Sequence, residues 1–257
     1  MTEQDQPSAR KYLYAIIPTP GPETFTSPGI SGPQDAVHTL TFGCLAAVVS
    51  DSPQIEYDNT RRNMMAHTRV LEEVMQTSIL LPVRFGTVAP TPETITDRLL
   101  TPRYDEFSHL LEQMRDRVEL GLKAFWQEGI VFKEIIDENP DIRKRRDALQ
   151  KRPLDRSHAE RLRLGQDIEQ ILARKRLADE QNVLNRVKSL AHKSRLNKTV
   201  GDHMVLNAAF LVDQCHEAEM DRAVRALDAD CGARLLFKYV GPVPPYNFIN
   251  IVVNWTG

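Results

Sequence analysis

Apolar and polar positions change period several times along this chain, and each change marks an element. Lys11–Pro18, KYLYAIIP, is aromatic and β-branched and stops at Pro18 and Pro20, the pattern of a strand. Residues 18–35 carry proline, glycine and serine at loop density, with a short helix expected over Gln34–His38. Leu40–Ser50, LTFGCLAAVVS, is almost continuously apolar and predicts a strand buried on both faces. From Asp58 or Asn59 to about Thr77 the spacing lengthens to helical: Met64, Met65, Thr68, Leu71, Glu72 and Met75 recur, with Val70 and Val74 beside them. The methionines read as soft core filler or as an adaptable partner groove. His67 reads as a satisfied helical histidine.

Leu81–Val88, LPVRFGTV, returns to a period of two and predicts a strand, with Arg84 as a charge among apolar neighbours. Thr91-Pro92-Glu93 is a cap with proline at the first helical position, opening a helix to about Arg115 with an interruption at Pro102. Val118–Trp126 alternates. Leu120, Leu122, Ala124 and Trp126 mark a core face, and Glu119, Gly121 and Lys123 a mixed one. Glu119 is a candidate ion-pair partner for Arg84. This order predicts a four-stranded antiparallel sheet with helices on one face, a modified ferredoxin-like arrangement.

Helical spacing resumes over residues 129–150, broken at Asn139-Pro140, and again from a capping-box pattern at Ser157–Glu160 to about Leu196. His203–Val212 predicts a buried strand, Gln214–Ala229 an amphipathic helix and Gly232–Val240 a further strand. A Pro-rich turn through Tyr246 and an apolar run over Ile249–Val253 close the chain. The fold class is therefore α+β: two modified ferredoxin-like α+β domains linked by a long charged helical region. The expected boundaries are a disordered lead over 1–9, an N-terminal domain over 10–127, a helical part over 128–200 and a C-terminal domain over 201–257.

Composition narrows the function. The 257 residues are 41% hydrophobic and 26% charged with a net charge of -2, so no global argument for nucleic acid or membrane follows. No apolar run approaches the roughly 20 residues that cross a bilayer. Cys44, Cys215 and Cys231 lie far apart without a CxxC, which argues against a disulfide framework or zinc site and fits a reducing cytoplasm better. Between Lys133 and Lys198, 18 basic residues stand against 11 acidic ones. That excess reads as a solvated face, as a surface for an acidic partner or as a nucleic-acid contact.

Catalytic signatures are missing. There is no G-x-G-x-x-G, P-loop or G-x-S-x-G, and Gly29-Ile-Ser-Gly32 has the wrong spacing. His216-Glu217 begins like a zinc-protease helix, but Met220 stands where the second histidine belongs. The expectation is a protein without enzymatic activity, metal or cofactor.

Three stretches go further. Leu81–Val88, containing Arg84, Phe85 and Gly86, follows a helix with His67 and Val70-Leu71-Glu72. Glu119-Leu-Gly-Leu-Lys123 is an E-x-G-x-K strand. Leu206–Val212 is followed by Gly241-Pro242-Val243-Pro244-Pro245-Tyr246-Asn247-Phe248. In this order the motifs resemble those of the gas vesicle protein GvpF/GvpL family, over about Lys11–Val253. Leu120 and Val243 depart from it, standing where tryptophans are common in that family.

The resemblance implies an accessory protein of gas vesicles, with two linked α+β domains. It implies binding of the hydrophobic major shell protein, contacts with other accessory gas vesicle proteins, and a cytoplasmic place at the vesicle. Arg84, Phe85, Gly86, Glu119, Lys123, Gly241, Pro242, Pro244, Pro245, Tyr246 and Phe248 are then structural or interface positions. The alternatives are a small-molecule enzyme or regulatory domain on a ferredoxin-like scaffold, and a nucleic-acid-binding regulator acting through the basic helical region.

Overall fold

The structure, a computed structural model, describes residues 10–19, 21–153 and 157–255. The expected disordered lead over residues 1–9 lies outside the described residues. The architecture is α+β, and the chain groups into two compact units, one of residues 1–119 with 242–257 and one of 120–241.

The first unit is built on β1 (Lys11–Pro18). It pairs antiparallel with β4 (Leu45–Asp51) on one side, and on the other with β5 (Leu81–Pro82) and β6 (Val88–Ala89). Beyond β4 lie β3 (Gly32–Phe42) and β2 (Thr24–Gly29), giving a six-stranded sheet. An irregularity at Tyr14 keeps Tyr12, Tyr14, Ala15 and Ile17 in one buried cluster with Val70, Leu71 and Val74 of α1 (Arg61–Thr77). Leu13 and Ile16 alternate to the other face, fully buried, and α3 (Tyr104–Met114) lies against the same strand. Helices thus cover both faces of β1, not one.

Several expectations change here. The proposed loop and short helix over 18–38 are the β2–β3 hairpin. Its alternation is broken by Pro28 and Pro33, which the strand ends and the edge strand tolerate. Leu40–Ser50 is a hairpin, not one strand, because Gly43 turns the chain at φ +59°. LPVRFGTV is two short strands around a turn in which Gly86 adopts φ +82°. On α1 the buried residues are His67, Val70, Leu71 and Val74, whereas Met64 and Met65 face solvent. Thr60, one residue later than expected, caps that helix. Thr91 and Pro92 open α2 (Pro92–Ile95) as predicted, and a π-helical turn continues it to Leu100.

In the second unit β7 (Arg117–Trp126), which begins in the first, belongs to a four-stranded sheet with β10 (Leu235–Val243), β9 (Met204–Asp213) and β8 (Lys193–Leu196). It does not join the sheet of residues 81–89. The helices are α4 (Ile130–Glu138), α5 (Pro140–Gln150), α6 (His158–Val187) and α7 (Glu217–Cys231). Asn139-Pro140 makes the predicted break. The 30 residues of α6 span about 45 Å. The helix stops at Val187, and the chain turns into β8 as an edge strand. The capping box does not form: the Ser157 hydroxyl donates to Pro153 O, and Glu160 pairs with Arg152.

Asp179 on α6 organises this unit. Its carboxylate accepts from Trp126 Nε1 at 2.7 Å and from Arg234, which also holds Glu134 of α4. The mostly buried carboxylate is satisfied on both oxygens, so its removal strands an indole N–H and half-frees a guanidinium. Asp179→Ala should lower unfolding stability by about 2–4 kcal/mol in urea titration, and Asp179→Asn by less.

Candidate functional site

The turn after β5 sits on an aromatic cluster. Gly86 N–H donates to the Tyr12 hydroxyl at 3.0 Å, and Tyr12 meets His67 Nδ1 at 3.0 Å. Gly86 N–H donates to the phenol oxygen, and the arrangement that also uses the phenol proton sends it to an unprotonated His67 Nδ1. Burial pushes the His67 pKa down to about 4, which agrees with this neutral tautomer. The Tyr12 phenol is pushed well above its ordinary range by burial and stays neutral. Tyr14 stacks on the imidazole at 5.5 Å and Phe85 meets its edge at 5.7 Å. His67 is therefore the satisfied helical histidine that the sequence suggested.

The Pro-rich tail returns to this place. Tyr246 N–H donates to Pro244 O at 2.7 Å and Ile249 N–H to Pro245 O at 2.9 Å, which folds 244–249 into a tight turn. Glu119, only 2% exposed, accepts from Asn247 N at 2.8 Å and from Asn247 Nδ2. The carboxylate thus binds the turn and does not pair with Arg84 as expected; Arg84 is exposed. Ile251 then runs parallel to Val83, and its carbonyl accepts from Arg84 N–H at 3.3 Å. Arg98 and Arg103 donate to Trp255 O and Val252 O of the tail. The tail belongs to the first unit, whereas the expected boundaries placed it in the C-terminal domain.

Between α1, the turn and the tail lies an open groove of about 380 Å³. Met64 and Thr68 form one wall, Val83, Arg84 and Phe85 the second, and Tyr246, Ile249 and Ile251 the third. Burial raises the Tyr246 pKa to about 12, so its hydroxyl is a neutral group here. The groove offers apolar walls, two exposed apolar side chains in Met64 and Tyr246, and one guanidinium at the rim. Among the described residues no group of three or more His, Cys, Asp or Glu is placed to hold a metal.

Of the motif residues, Arg84, Phe85 and Tyr246 line this groove, Gly86 anchors its turn, and Glu119 ties down the segment of Pro244, Pro245 and Phe248. Pro242 leads into that segment at the end of β10. Lys123 and Gly241 lie in the second unit: Lys123 is exposed on β7, and Gly241 sits within β10 at φ +141°. Gly121, between Glu119 and Lys123, makes room for Val240, since an added Cβ would come within 3.0 Å of it. Sequence reasoning missed Tyr12, Thr68 and Ile251. The available signal was the pair of tyrosines in a buried strand, whose hydroxyls need partners.

This fold is that of a gas vesicle accessory protein. The family model "Gas vesicle synthesis protein GvpL/GvpF" matches residues 10–250, and the chain belongs to that family. It is 30% identical to gas vesicle protein F of Nostoc sp. over 246 residues, covering 95% of this chain and 99% of the relative. It is also 30% identical to gas vesicle protein F of Dolichospermum flosaquae, covering 93% and 97%. The crystal structure of GvpF from Anabaena sp. PCC7120 superposes with a TM-score of 0.82 at 29% identity, over 96% of this chain and 100% of that one. GvpF from Microcystis aeruginosa gives 0.77 at 28%, over 94% and 99%.

Two outcomes test the site. The His67 pKa is depressed from about 6.5 unfolded to about 4 folded, so the folded state binds fewer protons in that window. Stability is full above pH 6.5 and falls as pH drops towards 4. Urea titration should show about 2–3 kcal/mol less at pH 4.5 than at pH 7.5, and His67→Phe should remove most of that slope. Glu119→Ala should cost about 1–3 kcal/mol and open residues 244–250 to limited proteolysis, with cleavage mapped by mass spectrometry.

Proposed function

We propose that this protein is a minor accessory component that binds the hydrophobic major shell subunit through the 380 Å³ groove and supports gas vesicle assembly in the cytoplasm. One observation carries the reading: stretches far apart in sequence, around Arg84 and around Tyr246, close on one apolar, solvent-open groove. A small hydrophobic subunit self-associates unless its apolar surface is covered. A groove with stiff walls and exposed Met64 and Tyr246 holds such a surface without a chemical step. The membership in a gas vesicle family supports the partner class. Part of the charge of the basic helical region is paired internally, with Arg145 on Asp167, Arg152 on Glu160 and Lys175 on Glu134, which lowers what it offers a nucleic acid.

Co-expression with the shell subunit and affinity capture tests this. Met64→Glu with Tyr246→Ala should lower the captured subunit about tenfold or more, with the melting temperature shifted by no more than about 3 °C. Leu236→Glu, on an exposed position of β10, should leave capture unchanged. Full capture by the double variant, or loss in Leu236→Glu alone, would refute the groove as the contact.

A further inference from the structure

The opposite flank of α1 forms a second groove of about 640 Å³, closed on its other side by the β2–β3 hairpin. Its apolar surface comes from Pro28, Ile30, Pro33, Met65 and Ala66, and Arg61, Arg62 and Arg69 line the helix side. It shares α1 with the motif groove but none of its lining residues.

Three arginines without a carboxylate partner gather on this one groove. Arg103, Arg145, Arg152 and Arg234 each engage a carboxylate. Among the described residues, Arg61, Arg62 and Arg69 have no hydrogen-bond or ion-pair partner, and all three are exposed. Arg61 and Arg62 also follow the cap Thr60 directly, in a first turn without an acidic residue. The positive end of a helix disfavours a cation there by about 0.3–1 kcal/mol. Folding therefore does not ask for arginines at these positions. The charge is left open, and it adds to the field of the helix start beside an apolar floor. An occupant that satisfies both is anionic and apolar at once. A nucleic-acid strand supplies only the first property, and no aromatic side chain lines the groove for its bases to stack on.

We propose that this groove docks an acidic amphipathic segment of a partner polypeptide. Its carboxylates pair with Arg61, Arg62 and Arg69, and its apolar side chains lie on Met65 and the Pro28–Pro33 hairpin.

Fluorescence anisotropy on the full chain tests it, with short labelled helical peptides. One carries a Leu face and a Glu face, the second replaces Glu by Lys, and the third replaces Leu by Ala; a single-stranded oligonucleotide is the fourth probe. The Leu/Glu peptide should bind in a saturable way and more tightly than the other three. Its affinity should fall about tenfold or more in Arg62→Glu/Arg69→Glu, and again in Met65→Glu, which checks the apolar floor independently. Arg62→Lys/Arg69→Lys should keep most of it, and Met64→Glu/Tyr246→Ala should leave it unchanged, so failure here is separable from failure of the shell-subunit reading. Absence of saturable binding, equal binding of the Lys peptide, insensitivity to both groove variants, or tighter binding of the oligonucleotide would each overturn the proposal.

Discussion

A carboxylate with 2% of its surface exposed has to find donors, and Glu119 finds them on Asn247. Leaving such a group unmet would cost several kcal/mol. The segment after β10 is therefore drawn back onto the first unit, where the prolines hold its turn and Ile251 lines up beside Val83. This bond, with the Val83–Ile251 bridge, sets the third wall of the motif groove and places Tyr246 on it.

The floor depends on a second satisfied network. Tyr12 accepts from Gly86 and donates to His67, so three groups of different elements share one proton arrangement. Burial keeps the imidazole and the phenol neutral, and the rings of Tyr14 and Phe85 enclose them. A titratable histidine next to a cleft invites an acid–base interpretation. Here its Nδ1 is occupied and its pKa lies well below neutrality, so it works as a structural spacer that positions the Arg84–Gly86 turn.

Local signals in the sequence were read well where a side chain acts on its own neighbours. The Thr91-Pro92 start, the Asn139-Pro140 break and the alternation of Val118–Trp126 all follow from backbone preferences within a few residues. What escaped was long-range. The prolines of residues 18–35 look like loop, and only pairing with β4 reveals β3 as a strand. LPVRFGTV satisfies a period of two, but a glycine at positive φ splits it. Glu119 was read as a partner for Arg84, whereas its carboxylate accepts from the side-chain amide and the backbone N–H of Asn247. The residues around Arg84, Glu119 and Tyr246 were legible as a set through family resemblance, and their convergence was not.

Charge is distributed unevenly across this chain. The basic helical region is matched internally in part, while the N-terminal half of α1 gathers guanidiniums without a partner beside an apolar groove. The central claim remains that the turn after β5 and the Pro-rich tail make one surface that holds another polypeptide. Hydrogen exchange by mass spectrometry, on the protein alone and in complex with the co-expressed shell subunit, tests it most directly. Protection gained together in residues 61–68, 82–86 and 246–252 is the predicted result; protection confined to residues 120–241, or none at all, would contradict it.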